Sequence, residues 1–293
     1  MRRKKIRLLA IADRVAGMHS KKLLISSLAL ALLALPGCTV AGVQTRDDSF
    51  EVGESPLVEA NVELARLTVR AGTSGRVQIK ATLRHASKTT YQVQQAGDTI
   101  KIDVQMQLGF SSKIDQPAVE IIVTVPPSTN LDLRSSTGYL YVDELSGHIM
   151  LTTSSGGIHL SDCEGRIVLQ NRTGTIECRR VQGELHVRSD AGSVDLDTVK
   201  GTFDVATKSG RIQFEGELAS AGEHRFESDT GSVDLIVLGS PDLTLDATSQ
   251  TGSVSCTLEI VEQVRSKRAC KGVLGAGTGQ LQVVTSTGSI TIR

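Results

Sequence analysis

The chain of 293 residues is electrically balanced, with 32 Lys and Arg against 32 Asp and Glu, and only 3 % of it is aromatic, with no Trp. Such a composition leaves room for one or two domains, demands an aliphatic core and offers no basic stripe to a nucleic acid. Helical periodicity is absent after residue 40, where β-branched residues and Gly dominate, so the chain reads as all-β.

Residues 1–37 stand apart from the fold. Lys21 and Lys22 precede a short apolar run from Leu23 to Leu35, too short to span a bilayer comfortably, which reads as an export signal. Met18 is the expected true start, because it gives that run an ordinary charged lead. Leu35, Pro36, Gly37 and Cys38 resemble a bacterial lipoprotein lipobox, which implies cleavage before Cys38 and diacylation of its sulfur. Residues 1–37 hold eight of the 32 basic and one of the 32 acidic residues, so the remainder carries 24 against 31, a net charge of −7. Nucleic acid is therefore an improbable partner, and attachment to a membrane has to come from the lipid on Cys38.

Residues 38–57 are polar and aperiodic and read as a tether. Residues 58–128 alternate apolar and polar side chains irregularly, as in Leu67 and Val69, Ile100 and Ile102, and Val119 to Val125. They are expected to form a β-rich amino-terminal cap, with a hairpin turn at Ala96-Gly97-Asp98. Gly75 stands two before Val77 and four before Ile79, as though a degenerate repeat begins there. Pro126 and Pro127 end the last strand of this part.

From residue 129 to 293 the pattern is a repeat. A glycine returns every nine residues from Gly138 to Gly210, with an apolar residue two and four positions later, as in Gly165, Ile167 and Leu169. Alternate nines differ: Leu145, Cys163, Val181 and Val199 are apolar, where Ser154, Arg172, Asp190 and Lys208 fill the equivalent slot. The unit is therefore eighteen residues, two short strands and two turns, one coil of a parallel β-solenoid of about eight coils. Ser135, Thr153, Asn171, Ser189 and Thr207 share one column, so stacking is expected to let their side chains hydrogen-bond along the stack at a tight corner. After Gly210 the spacing loosens to 21, and three extra residues per coil are expected in turns. Residues 259–279 read as an altered coil or an outward loop, and Ile290, Thr291, Ile292 and Arg293 as an uncapped last strand open to strand addition.

Val123-Thr124-Val125-Pro126-Pro127, the Leu131-Asp132-Leu133 alternation and Ser135-Ser136-Thr137-Gly138, followed by recurring Ser/Thr-x-x-Gly-x-Val-x-Leu units, resemble the bacterial putative adhesin family of β-helical envelope proteins. The resemblance covers residues 58–293. It implies a surface-exposed or membrane-tethered protein, in some members linked to envelope stress, and it brings no catalytic residues.

Chemistry is sparse in the sequence. Cys163 and Cys178 occupy inward slots and read as core residues. Cys256 and Cys270 flank the segment 259–279, and in an exported protein they read either as a disulfide or as a core thiol and an exposed one. The corners lack the recurring Asp of calcium-binding β-rolls, and His148, His159 and His186 have no partner at ligand spacing, so neither a metal nor a cofactor is expected. Tyr141, His159, Glu177, Asp195 and Gln213 form an outward column beside Asp143, Ser161, Arg179, Asp197 and Glu215, a mixed acidic face that reads as solvated surface. A polysaccharide-cleaving β-helix needs paired carboxylates and stacking aromatics in a groove, and three Tyr with no Trp make that the least favoured reading. The expectation is a non-enzymatic, lipid-anchored envelope protein that binds a surface polymer through a strand face. The alternative is a structural or stress-signalling element that recruits an envelope protein.

Overall fold

A computed structural model describes residues 42–73, 75–107 and 118–293. Its centre is the stack read from the repeat. Strands β1 (Gln44–Glu51), β2 (Leu57–Val62), β3 (Ala65–Ala71), β4 (Arg76–Leu83), β5 (Thr89–Ala96), β6 (Thr99–Met106) and β7 (Val119–Val125) precede it. The regular part follows as β8 (Asn130–Asp143), β9 (Ser146–Ser161), β10 (Glu164–Thr173), β11 (Ile176–Arg179), β12 (Gln182–Ala191), β13 (Val194–Ser209) and β14 (Ile212–Leu218). All pairings within this regular part are parallel and offset by eighteen residues, except that β13 slips to seventeen against β14 after Asp197, and the offset sets Leu131 beside Ile149, Ile149 beside Ile167 and Ile158 beside Ile176. Each coil thus adds one strand to each of two ladders, and the aliphatic columns of both ladders are enclosed: Ile149, Ile158, Ile167 and Ile176 are all fully buried.

The repeating glycine has a steric cause. A Cβ on Gly156 would lie 1.7 Å from the carbonyl oxygen of Gly138, one coil away, and Gly156 has φ +133. Backbone rests on backbone at this corner, and no side chain fits. The opposite corner uses a different device: Glu144, Asp162, Arg180 and Thr198 take the left-handed conformation at φ 51 to 58, each directly before the buried Leu145, Cys163, Val181 or Val199. None of these residue types announces that conformation in sequence, although the eighteen-residue spacing is legible.

The column of buried hydroxyls bonds differently from the expectation. Instead of linking to one another, Asn171, Ser228, Thr285 and Ser249 donate to corner glycine carbonyls of the neighbouring coil, at 3.0 Å to Gly156, 3.1 Å to Gly210, 3.1 Å to Gly231 and 2.9 Å to Gly288. These carbonyls are walled in by the stacked backbone, so the side chains supply donors that water cannot.

Both ends depart from the sequence reading. The segment read as a tether contains β1, which pairs antiparallel with β4 from Gln44 beside Leu83 to Glu51 beside Arg76. The stack also begins earlier than residue 129, because β2 and β3 already form a coil on β8, with Val58 beside Leu131 and Leu67 beside Leu140. Ala65, not Gly75, occupies the glycine column there, opposite Gly138. The cap proper is antiparallel: β4 on β7 and β5 on β6.

Beyond β14, strands β15 (Glu223–Thr230), β16 (Val233–Leu238), β17 (Leu243–Thr251), β18 (Val254–Cys256), β19 (Val261–Ser266), β20 (Ala269–Leu274), β21 (Gly279–Thr287) and β22 (Ile290–Ile292) complete the chain. The extra residues of the 21-residue spacing lie in the turns 219–222 and 239–242. Coil order is not chain order here. Strand β21 pairs with β15 on one side and β17 on the other, and β22 lies between β16 and β18. Residues Ile290, Thr291 and Ile292 are therefore internal, Arg293 bonds to Leu235 and Val237 of β16, and the reading of a free last strand is corrected. Strands β19 and β20 form a hairpin that closes the end, β20 running antiparallel to β17.

One buried column holds a histidine. His224 follows Phe203 and precedes Leu281 in an otherwise apolar column and is 2 % exposed. Its Nε2–H donates to the Ala219 carbonyl at 2.9 Å, while Nδ1 has no partner. The Phe203 ring lies 6.0 Å from it, and Phe214 meets Phe203 and Phe226 edge to face with centroids 5.0 and 5.1 Å apart. Desolvation holds the imidazole below its ordinary pKa of 6.5.

Two outcomes follow. Gly183→Ala, whose Cβ would stand 2.1 Å from the Gly165 carbonyl oxygen at φ +120, should cost about 3 kcal/mol or more in chemical denaturation. Gly97→Ala, also at positive φ but with open space around it, should cost only about 1–2 kcal/mol. Acidification adds a second test: below the ordinary pKa the unfolded chain takes up a proton on His224 that the folded protein refuses, so stability falls as pH drops through that range until the lowered folded pKa is passed. His224→Leu should flatten that part of the stability–pH curve, and an unchanged slope would place the acid sensitivity elsewhere.

Candidate functional site

Of the residues singled out by sequence, Leu35, Pro36, Gly37 and Cys38 lie outside the described residues. No helix among the described residues is long and apolar enough to cross a membrane. Cys256 and Cys270 are both buried, at 9 % and 2 % exposure, and stand as thiols beside one another. Ile290 to Arg293 are occupied by main-chain pairing. Among the described residues no three His, Cys, Asp or Glu converge as metal ligands would.

Of the two ladders, the first contains β10 and β12 and the second β11 and β14, and the outer face of the second carries the most distinctive arrangement. Tyr139 and Tyr141 alternate on β8 and so project to the same side. Parallel register sets His159 beside Tyr141, Glu177 beside His159 and Asp195 beside Glu177. The Tyr141 and His159 rings stack at 4.7 Å with 8° between planes. Glu177 Oε2 lies 3.1 Å from His159 Nδ1. Arg66, brought in by β3, sits with its guanidinium carbon 5.9 Å from the Tyr141 ring centroid, a cation–π contact. In the next row Ser161 donates to Asp143, and Arg179 stands beyond it.

Gly157 shapes this cluster. Its place in the row beside Tyr139 is without a side chain, and a Cβ there would come within 3.0 Å of the Tyr139 ring and 2.8 Å of His159 Nε2. Both rings thus lean over the gap, leaving Tyr139 43 % exposed. On the side of the Tyr141–His159 stack toward Asp143 and Ser161 lies an open hollow of about 610 Å³, lined among others by Arg66, Thr68, Tyr141, His159, Glu177 and Arg179. Further along, burial first and then the neighbouring Glu177 and Asp197 carboxylates raise the Asp195 pKa from its ordinary value, against the pull of Arg179. The face therefore runs from aromatic and basic at β3 and β8 to acidic at β11 and β13.

The outward columns of this face are legible in the repeat, but their closure by Arg66 and Thr68 is not. Those two come from a coil 73 residues earlier in the chain, outside the regular spacing. A second hollow, about 470 Å³, lies along the left-handed corner. Four of its charges pair among themselves, Arg180 forking onto Asp162 at 2.7 and 2.6 Å and Lys200 reaching Glu217 at 2.9 Å.

Solved structures similar to this chain include one described as a putative cell adhesion protein from Clostridium sporogenes, 11 % identical with a TM-score of 0.30, covering 85 % of this chain and 99 % of that one. A putative adhesin from Bacteroides fragilis is 12 % identical with a TM-score of 0.38, covering 86 % and 97 %. A putative lipid binding protein from Parabacteroides distasonis is 12 % identical with a TM-score of 0.29, covering 85 % and 96 %. No curated protein matches the chain. The family model described as Toastrack DUF4097 matches residues 58–293, the whole span from the first coil strand to the last residue, and the chain belongs to that family.

Proposed function

We propose that this protein is a non-enzymatic, lipid-anchored component of the bacterial cell envelope whose second-ladder face binds an extended surface polysaccharide. The observation that carries the reading is the hollow beside Tyr139, Tyr141 and His159. Flat aromatic surface and convergent polar groups occur together there, the combination by which proteins orient polar ligands that also have apolar faces. Arg66 and Arg179 offer forked donors, and Glu177 and Asp143 offer acceptors, at positions repeated along a straight ladder with about 4.8 Å between rungs. A linear polymer can follow such a surface across several coils.

In this reading anchoring rests on Cys38, and the nearness of β1 in sequence supports a short link. Gln44, the first residue of a strand tied to β4, is the sixth residue after Cys38. A fully extended link of that length spans about 20 Å. The lipid would accordingly hold the β1 end close to the bilayer and leave the far coils projecting from it. Two acyl chains suffice for stable attachment.

Tyr139→Ala combined with Tyr141→Ala should reduce retention on purified envelope polysaccharide of the host about tenfold, equivalent to about 1.4 kcal/mol, with an unchanged circular dichroism spectrum. Equal retention by the folded double variant would refute this face as the binding surface. Separately, Cys38→Ser should move the protein from the membrane fraction to the soluble fraction of the host cell.

A further inference from the structure

The closing end of the stack holds two thiols at matched positions. Cys256 on β18 ends the inward column Leu235, Ile292, Cys256 of the second ladder. Cys270 on β20 lies opposite Ala247 and extends the inward column Phe226, Val283, Ala247 of the first. These two columns meet across the core, as the 5.1 Å contact between Phe214 and Phe226 shows a few coils earlier. At the end coil, where large side chains would have no further rung to pack on, both columns finish in small sulfur-bearing residues. Both thiols are buried at this end, at 9 % and 2 % exposure. Cys163 differs, since its thiol points to the Ser161 carbonyl at 3.2 Å.

We propose that Cys256 and Cys270 form a buried disulfide that locks the closing hairpin onto the last coil and thereby clamps the carboxy-terminal strands inside the stack. The hairpin now meets that coil through the antiparallel pairing of β20 with β17 and through single bonds at its turn, Val254 N–H to the Lys267 carbonyl at 2.9 Å and Ser249 N–H to the Arg268 carbonyl at 3.0 Å. A covalent link would join β18 to β20, so that β21 and β22, lodged between earlier coils and β17–β18, could leave only if the whole end opened. It is independent of the polysaccharide reading.

The chemistry balances against an external disulfide. One cysteine loses its proton, and its thiolate attacks a sulfur of the external disulfide, releasing one external thiol that takes up a proton. The second cysteine, deprotonated in turn, attacks the mixed disulfide, forms the Cys256–Cys270 bond and releases the second external thiol. Two electrons pass from the cysteine pair to the external disulfide. Burial first, and then the neighbouring Cys256 thiol, push Cys270 up to about 12, with Arg265 opposing. Exchange through the closed end is therefore slow, and the bond forms while the hairpin is still open.

The test uses the full chain refolded from denaturant with oxidised glutathione or with a reductant. The oxidised sample should be 2 Da lighter, yield a Cys256–Cys270 cross-linked peptide, melt about 5 °C or more higher and exchange the amides of residues 279–292 about tenfold more slowly. Cys270→Ala and Cys256→Ala should each melt near the reduced wild type and lose the oxidation-dependent gain. Full alkylation of both thiols after oxidative refolding of a folded protein, or a Cys163–Cys178 cross-link in their place, would overturn the assignment. So would a bond that forms without changing the melting temperature or the exchange of β21 and β22.

Discussion

Everything in this fold depends on the approach of one glycine to the carbonyl of the glycine one coil away. A Cβ at Gly192 would sit 1.7 Å from the Gly174 oxygen, and at Gly201 1.9 Å from that of Gly183. From Gly138 onward, only residues without side chains at those points can rest on the coil before them in register. Once it does, the neighbouring hydroxyls must serve the carbonyls trapped there, and Ser228 and Ser249 do so. The strands leaving each corner are then held in parallel register, and their inward residues fall into enclosed columns. Burial of each such aliphatic side chain contributes about 1.5–3 kcal/mol, but the columns exist only because the corners permit them.

A parallel stack has two open ends, and each presents unpaired main-chain groups that invite other chains. The protein treats both with antiparallel strands. At the start, β4 and β1 extend one ladder and β5 extends the other. At the finish, the hairpin β19–β20 folds back on β17. The final coil is placed inside the stack and not at its limit, which removes the chain terminus from the exposed edge. Its edge strand β19 carries Arg265 and a shifted register between Val261 and Val264, features that disfavour further pairing.

The two outer faces follow from the same geometry with different results. Parallel register places outward residues of successive coils side by side, so each row acts as a continuous stripe. On the first ladder the stripe is self-paired: Arg166 with Glu184, His186 with Glu184 and Asp204, Arg188 with Asp204, Lys208 with Asp190. Such exposed pairs contribute little to stability, and their groups already engage one another. On the second ladder, rings replace charges at Tyr139, Tyr141 and His159, the glycine at 157 lets them lean together, and Tyr141 and His159 wall a hollow. Distinctive chemistry is concentrated where the repeat is interrupted by aromatic residues.

The sequence by itself determined the coil. Period-two alternation after each glycine states which side chains face inward, and an eighteen-residue recurrence states which of them are neighbours, so Ile149 beside Ile167 was legible before any coordinate. The columns of the Tyr141 face were legible for the same reason. What only the tertiary structure decided lies where adjacency in space departs from that spacing. The strand in residues 44–51 depends on β4, whose paired residues lie 25 to 39 positions later, and nothing in its polar pattern marks a partner. Arg66 reaches Tyr141 only because β3 is itself a coil. The place of Ile290 to Ile292 and the meeting of Cys256 with Cys270 depend on which coil docks last against which. Stacked coils are chemically alike on both flanks, so local spacing cannot express their order; only the closing hairpin, seated on one of them, does.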